Sequence, residues 1–187
     1  ERLMLNIMQR MSGIATVTAR YQERLAGLPC KVLDTRKTTP GLRMLEKEAV
    51  RIGGGSNHRI GLFDMILIKD NHVDFAGGIA AAVERAKAYC KENGKDLKIE
   101  QEVRNTDEIR QAIAAGVDRI MLDNFDPERT AEAVRIIRAE APGVEIESSG
   151  GITLDTLRSY GEAGVDFVSV GALTHSVKGL DMSFKAC

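Results

Sequence analysis

Short apolar runs alternate along the chain with longer stretches whose apolar residues recur every three to four positions. The runs cover residues 31–34, 65–69, 97–103, 119–123, 144–148 and 167–170. Each is bounded by turn residues and is too short for a helix, so each predicts a strand. Between them the period becomes helical. Leu3, Ile7, Met11 and Ile14, with Leu5 and Met8 beside them, predict a helix within 1–27 that leads into the first strand. Leu42, Leu45, Ala49 and Ile52 form one face of a second helix. Residues 79–89 are alanine-rich, and Ile109, Ile113 and Ala114 form a further face. Asp126 followed by Pro127 reads as an N-cap and first helical residue, opening a helix that buries Ala133, Ile136 and Ile137. A last helix is expected over 154–160, capped by Thr153.

Strand–helix alternation in units of roughly 20–30 residues implies a parallel sheet with right-handed crossovers. The turns Ala115-Gly-Val-Asp118 and Ala163-Gly-Val-Asp166 are identical in sequence. Their glycine suits the left-handed residue that ends a helix. The echo suggests repeated β/α units closing on themselves. The expectation is one α/β domain over 1–187, an incomplete TIM-like barrel of about six to seven parallel strands instead of eight.

Composition narrows the class. The 187 residues carry 26 basic and 27 acidic side chains, a net charge of -1. That argues against general nucleic-acid binding, which needs a basic face. No apolar run approaches the roughly 18 residues of a membrane span. Aromatics are 4% and tryptophan is absent, so the core is built from Ile, Leu, Val, Ala and Met. Cys30, Cys90 and Cys187 are far apart and form no CxxC pair. They read as reduced thiols in a cytoplasmic setting, with Cys30 filling core. The chain opens at Glu1 inside a helical pattern without a capping residue, so a piece of a longer protein is expected.

In β/α barrels chemistry sits at the C-terminal strand ends. Here those ends read Asp34-Thr-Arg-Lys37, Lys69-Asp-Asn-His72, Glu100 and Glu102, Asp123-Asn124, Ser148-Ser-Gly-Gly151 and Gly171-Ala172. Arg36, Lys37, His58, Arg59 and Lys69 make a cationic group within a near-neutral chain, which points to a small polyanion. Glu102 and Asp123 on neighbouring strands suit Mg²⁺, which takes few carboxylates plus water and phosphate oxygens. Ser149, Gly150, Gly151 and Gly171 read as a phosphate cradle. The segment 53–59 lacks the Lys-Ser/Thr of a Walker loop and is expected to be a flexible carrier of His58 and Arg59.

At these residues the chain resembles the quinolinate phosphoribosyltransferase family. The matching segments are Met11-Ser-Gly-Ile-Ala-Thr16, Asp34-Thr-Arg-Lys-Thr-Thr-Pro-Gly41, Gly53-Gly-Gly-Ser-Asn-His-Arg-Ile-Gly-Leu62, Ile68-Lys-Asp-Asn-His72, Glu102-Val103, Leu122-Asp-Asn-Phe125, Ser149-Gly-Gly-Ile-Thr153 and Ser169-Val-Gly-Ala-Leu-Thr174. The resemblance implies transfer of phosphoribose from phosphoribosyl pyrophosphate to quinolinate with decarboxylation, giving nicotinate mononucleotide in de novo NAD biosynthesis, with Mg²⁺ required. It implies that Arg36, His58, Arg59 and Lys69 hold the quinolinate carboxylates and that Lys37 faces pyrophosphate or the anionic substrate. Lys37, Lys69, Glu102 and Asp123 are the expected catalytic group. Glu102 and Asp123 would approach the ribose hydroxyls and Mg²⁺, the ion held in part through water, and Ser149, Gly150, Gly151 and Gly171 the 5′-phosphate. It further implies an N-terminal α/β sandwich domain missing here, and a homodimer whose partner supplies an Arg to the site. Two other readings stand beside it. One is the paralogous branch associated with molybdate transport. The other is a folded but inactive dimer-forming barrel. Roles for His72 and His175 are left open.

Overall fold

The computed structural model describes residues 1–185, so Cys187 lies outside the described residues. Six strands form one wholly parallel sheet: β1 (Lys31–Leu33), β2 (Ile66–Ile68), β3 (Ile99–Val103), β4 (Arg119–Asp123), β5 (Glu145–Ser149) and β6 (Phe167–Ser169). Each falls within two residues of the run that predicted it. The order is β1-β6-β5-β4-β3-β2, so the first strand pairs with the last. Beyond β1 the chain returns at Ser56, which makes a parallel bridge to Leu33. The helices are α1 (Arg2–Arg24), α2 (Arg43–Ile52), α3 (Asp70–Ala76), α4 (Ile79–Glu92), α5 (Thr106–Ala115), α6 (Pro127–Glu140), α7 (Leu157–Glu162) and α8 (Ala172–His175).

Alternation along the strands separates two faces. Val32, Ile68, Ile99, Val103, Ile120, Leu122, Ile146 and Val168 join one apolar cluster with helix residues such as Val83, Ile109, Ala133, Ile137 and Leu157. Burying each such side chain is worth roughly 1.5–3 kcal/mol. Cys30 belongs to this cluster, as its reading as core filler required. The alternate positions are mostly polar. Glu100 pairs in register with Arg119 and Arg119 with Glu145; Met121 pairs with Glu147, and Asp123 with Ser149. Charged residues therefore sit side by side on the inner face, and their upper ends meet the loops that carry the site.

The repeated Ala-Gly-Val-Asp turns do the same work twice. Gly116 and Gly164 both take left-handed φ, 69° and 95°. Asp118 Oδ2 accepts the N–H of Ile99 at 2.7 Å, and Asp166 Oδ2 accepts that of Ile146 at 2.7 Å. Each aspartate thus caps the start of the preceding strand's ladder and sets the stagger between neighbours. Asn105 and Asp126 cap α5 and α6 by accepting from Glu108 and Arg129 N–H.

Four expectations need correction. On α2 the buried residues are Glu46, Lys47, Ala49 and Val50, while Leu45 and Ile52 are exposed. The two charges turn inward because each meets a partner: Arg10 pairs with Glu46 at 2.9 Å, and Lys47 pairs with Asp34. On α1 Leu5, Gly13, Ile14 and Thr18 are buried and Leu3 is 76% exposed, so the predicted stripe is rotated. On α5 Ile109 and Ala112 are buried and Ile113 packs partly on the core, while Ala114 faces solvent; on α6 the expected Ala133, Ile136 and Ile137 pack inward and Val134 joins them. Finally α7 begins at Leu157. Thr153 closes the turn ahead of it, its carbonyl accepting the Leu157 N–H at 2.9 Å.

Candidate active site

A cavity of about 760 Å³ opens at the C-terminal ends of the strands. Arg36, Lys37, His58, Arg59, Lys69, Asp123, Ser149, Gly150, Gly151 and Gly171 all line it. Ten of the eleven candidate residues thus meet in one place, drawn from positions 36 to 171. Glu102 lies just behind, its Oε2 accepting from Lys69 Nζ at 2.8 Å. His72 serves α3: its Nδ1 accepts the Lys69 N–H at 2.9 Å. His175 stands on the rim, beside Gly171.

Three of the cations lack a salt-bridge partner. Among the described residues neither Arg36, Lys37 nor Arg59 forms a salt bridge. Arg36 Nη1 is buried and has no hydrogen-bond partner among the described residues. Burial and the neighbouring Arg36 pull the Arg59 guanidinium below its ordinary pKa. Leaving two guanidinium groups together and undersatisfied is costly, and an anion in the cavity removes that cost.

The loop that brings in His58 and Arg59 is rigidly built, contrary to the expected flexible carrier. A Cβ on Gly53 would stand 2.4 Å from the Ala15 carbonyl oxygen, so this glycine lets the loop lie against α1. The buried Asp34–Lys47 pair then holds the loop from below. Asp34 accepts the His58 N–H at 2.9 Å and Asn57 Nδ2 at 2.6 Å, and Lys47 Nζ donates to the His58 carbonyl at 2.9 Å. His58 itself is only 8% exposed. Its Nδ1 accepts the Arg59 N–H at 2.7 Å, and its Nε2 faces Glu100 and Glu147 at 3.0 and 3.4 Å. The ring is turned down to these acids, and Arg36 and Arg59 are the groups open to a ligand.

Across the cavity, burial and the charge of Glu102 raise the Asp123 carboxyl above its ordinary pKa. Asn124 donates to Asp123 Oδ2 at 2.8 Å from a left-handed backbone, φ 55°. A Cβ on Gly150 would fall 2.2 Å from Asn124 Oδ1, and Gly150 has φ +100°. Only glycine fits there. Asp34 and Asn124 stand in the strand-end motifs without an assigned role, and Lys47 and Glu147 carry no such signal. For Glu147 the available signal was Glu-Ile-Glu in β5, a strand whose one face is apolar and whose other is acidic.

The family model described as quinolinate phosphoribosyl transferase, C-terminal domain, matches residues 14–185. The chain belongs to this family. It is 46% identical to the chloroplastic nicotinate-nucleotide pyrophosphorylase (carboxylating) of Arabidopsis thaliana, covering 99% of this chain and 56% of that protein. It is 48% identical to a probable enzyme of the same name from Bacillus subtilis, covering 98% of this chain and 61% of that protein. The solved nicotinate-nucleotide pyrophosphorylase of Francisella tularensis superposes with a TM-score of 0.91 at 49% identity, over 98% of this chain and 63% of that one. The chain therefore spans somewhat over half the length of these relatives. Within this quinolinate phosphoribosyltransferase C-terminal domain, ten of the eleven candidate residues line one cavity. No helix among the described residues is long and apolar enough to cross a membrane.

Proposed function

We propose that this domain binds quinolinate and phosphoribosyl pyrophosphate and transfers phosphoribose to the pyridine nitrogen with loss of CO₂. The observation that carries the reading is the Arg36–Arg59 pair, which has no carboxylate salt bridge among the described residues and lines the cavity. Two guanidinium forks match a dicarboxylate, and fixing both carboxylates aims the ring nitrogen at the sugar. Lys37 and Lys69 offset the charge of the leaving pyrophosphate, and Asp123 with Glu102 faces the positive charge that grows on the sugar. Ser149, Gly150, Gly151 and Gly171 receive the 5′-phosphate through backbone N–H groups.

The residues present fit Mg²⁺. Asp123 lines the cavity and would hold the ion directly, whereas Glu102 is engaged by Lys69 and would reach it through water. The ion would supply charge neutralisation to phosphate oxygens. The same reading includes an incomplete barrel, a preceding α/β sandwich domain, a homodimer that completes the site, and a cytoplasmic setting.

Calorimetric titration with quinolinate, with nicotinate as control, tests the substrate. Binding of quinolinate alone is expected. Equal binding of both, or of neither by a chain extended to the full length of the relatives, would remove the dicarboxylate reading. Asp123→Asn is expected to weaken Mg²⁺-dependent binding of phosphoribosyl pyrophosphate, and unchanged Mg²⁺ dependence would exclude Asp123 as the ligand.

A further inference from the structure

The floor of the cavity carries buried acids for which phosphoribosyl transfer has no use. Glu147 on β5 lines the cavity and is fully buried; Glu100 on β3 is equally buried. Arg119 on β4 gives Nη1 to Glu147 Oε2 at 3.1 Å, and its Nε and Nη2 to Glu145 at 3.0 and 2.8 Å. Lys98 also donates to Glu145, at 2.9 Å. Glu145 thus has two cations, while Glu100 and Glu147 are left with one arm of Arg119 and the His58 ring. Ser169 Oγ on β6 donates to the Ser148 carbonyl at 3.5 Å, Arg59 acts electrostatically on Glu100, and Lys47 and Arg59 act on His58. Among the described residues, both Glu100 carboxylate oxygens and Glu147 Oε1 have no hydrogen-bond partner. Two adjacent buried carboxyl groups with so little counter-charge do not both ionise, so one proton stays.

His58, Glu100 and Glu147 bring ligand atoms within 4.8 Å of one another, which could equally hold a metal ion. The histidine tautomer decides between ion and proton. The Arg59 N–H donates to His58 Nδ1, so in the neutral ring the hydrogen is on Nε2. An Nε2–H facing the acids cannot ligate a cation, but it can hydrogen-bond a carboxyl group that has given up its proton.

We propose that Glu147, as the acid on the cavity floor, delivers the proton that replaces the carboxylate lost from the pyridine ring. This rests on the quinolinate reading. In the step, the bond between the ring carbon and its carboxylate breaks and CO₂ leaves. The electron pair remains on the carbon and takes the Glu147 proton. The resulting carboxylate lies against Arg119 and the His58 Nε2–H, and solvent restores the acid. Burial, and the charge of Glu100 after it, hold the Glu147 carboxyl up at about 8, so the acid persists at neutral pH.

Infrared difference spectra of the full chain against Glu147→Gln test the acid form. A carboxylic-acid carbonyl band at pH 7, absent from the variant, is expected; a folded wild-type chain without it overturns the proposal. Kinetics test the donation. Glu147→Gln is expected to lower kcat at least about tenfold with KM for quinolinate within about threefold. It should also remove the alkaline limb of kcat, and Glu147→Asp should recover part of the rate. Unchanged kcat in Glu147→Gln overturns the donor role. So does a zinc titration showing binding that the variant loses, which would make the triad a metal site. The band without any turnover by wild type counts against the quinolinate reading and removes the donor role with it. Turnover without the band removes the donor role alone.

Discussion

Arg119 and Ile120 are neighbours in β4, both almost wholly buried, and they face opposite worlds. Ile120 enters a layer of aliphatic side chains against the helices. Arg119 enters a layer of glutamates, with Phe167 stacked 4.3 Å from its guanidinium carbon. The comparison holds for the whole sheet. Its outer face is held by non-directional burial, which tolerates exchange of shapes and ignores pH. Its inner face is held by charge pairs whose desolvation is met only by each other, so losing one member leaves another stranded. Stability rests on the first face and the candidate chemistry on the second.

Three changes test that contrast. The largest effect is expected from Arg119→Met, which strips Glu145 and Glu147 of a shared cation. A loss of about 3–5 kcal/mol is expected near pH 9. The loss should shrink near pH 5, where the buried acids are neutral. Glu100 and Glu147 are raised in the folded state to about 7 and about 8, mainly by burial, so the fold binds more protons than the unfolded chain in that range. Their contribution is fully present below the ordinary carboxylate pKa and is lost as pH rises through these values. Thermal melts from pH 5 to 9 check the sign, and a loss independent of pH would break the distinction between faces.

Next in size is Arg59→Ala. It should weaken quinolinate more than tenfold, about 1.4 kcal/mol, while binding of phosphoribosyl pyrophosphate stays nearly intact. Calorimetry with each ligand checks this, and equal loss of both would mean that the anion sites are not separate. The smallest is Ile120→Val on the outer face, expected to cost about 0.5–1.5 kcal/mol at every pH without altering ligand affinity. A dependence on pH there would show that the two faces are coupled through the strand.

How much of this was readable in advance follows from which contacts are local. Strand positions came from runs of residues adjacent in sequence, and all six were found. Eight of the cavity residues follow from a rule of β/α folds, that strand ends converge, and His58 and Arg59 join them from the loop at 53–59. Glu147 is not legible in the sequence because Glu-Ile-Glu reads equally as a half-exposed strand; only tertiary packing buries that face. Lys47 and Glu46 lie off the apolar face read on α2, and their partners Asp34 and Arg10 are 13 and 36 residues away. Nothing in the spacing of one helix reveals an ion pair made with another segment.

The sequence by itself therefore determined the order of elements, the apolar layer and the set of motif residues, since these depend on periodicity and on turn chemistry within a few residues. The tertiary structure decided which charges are compensated. Arg36 and Arg59 are left free for a ligand while Lys47 and Arg119 are consumed by the fold. The Arg59 N–H turns the His58 ring down toward Glu100 and Glu147. Charge compensation acts through space between distant segments, and burial multiplies it, so it exists only once the strands stand side by side.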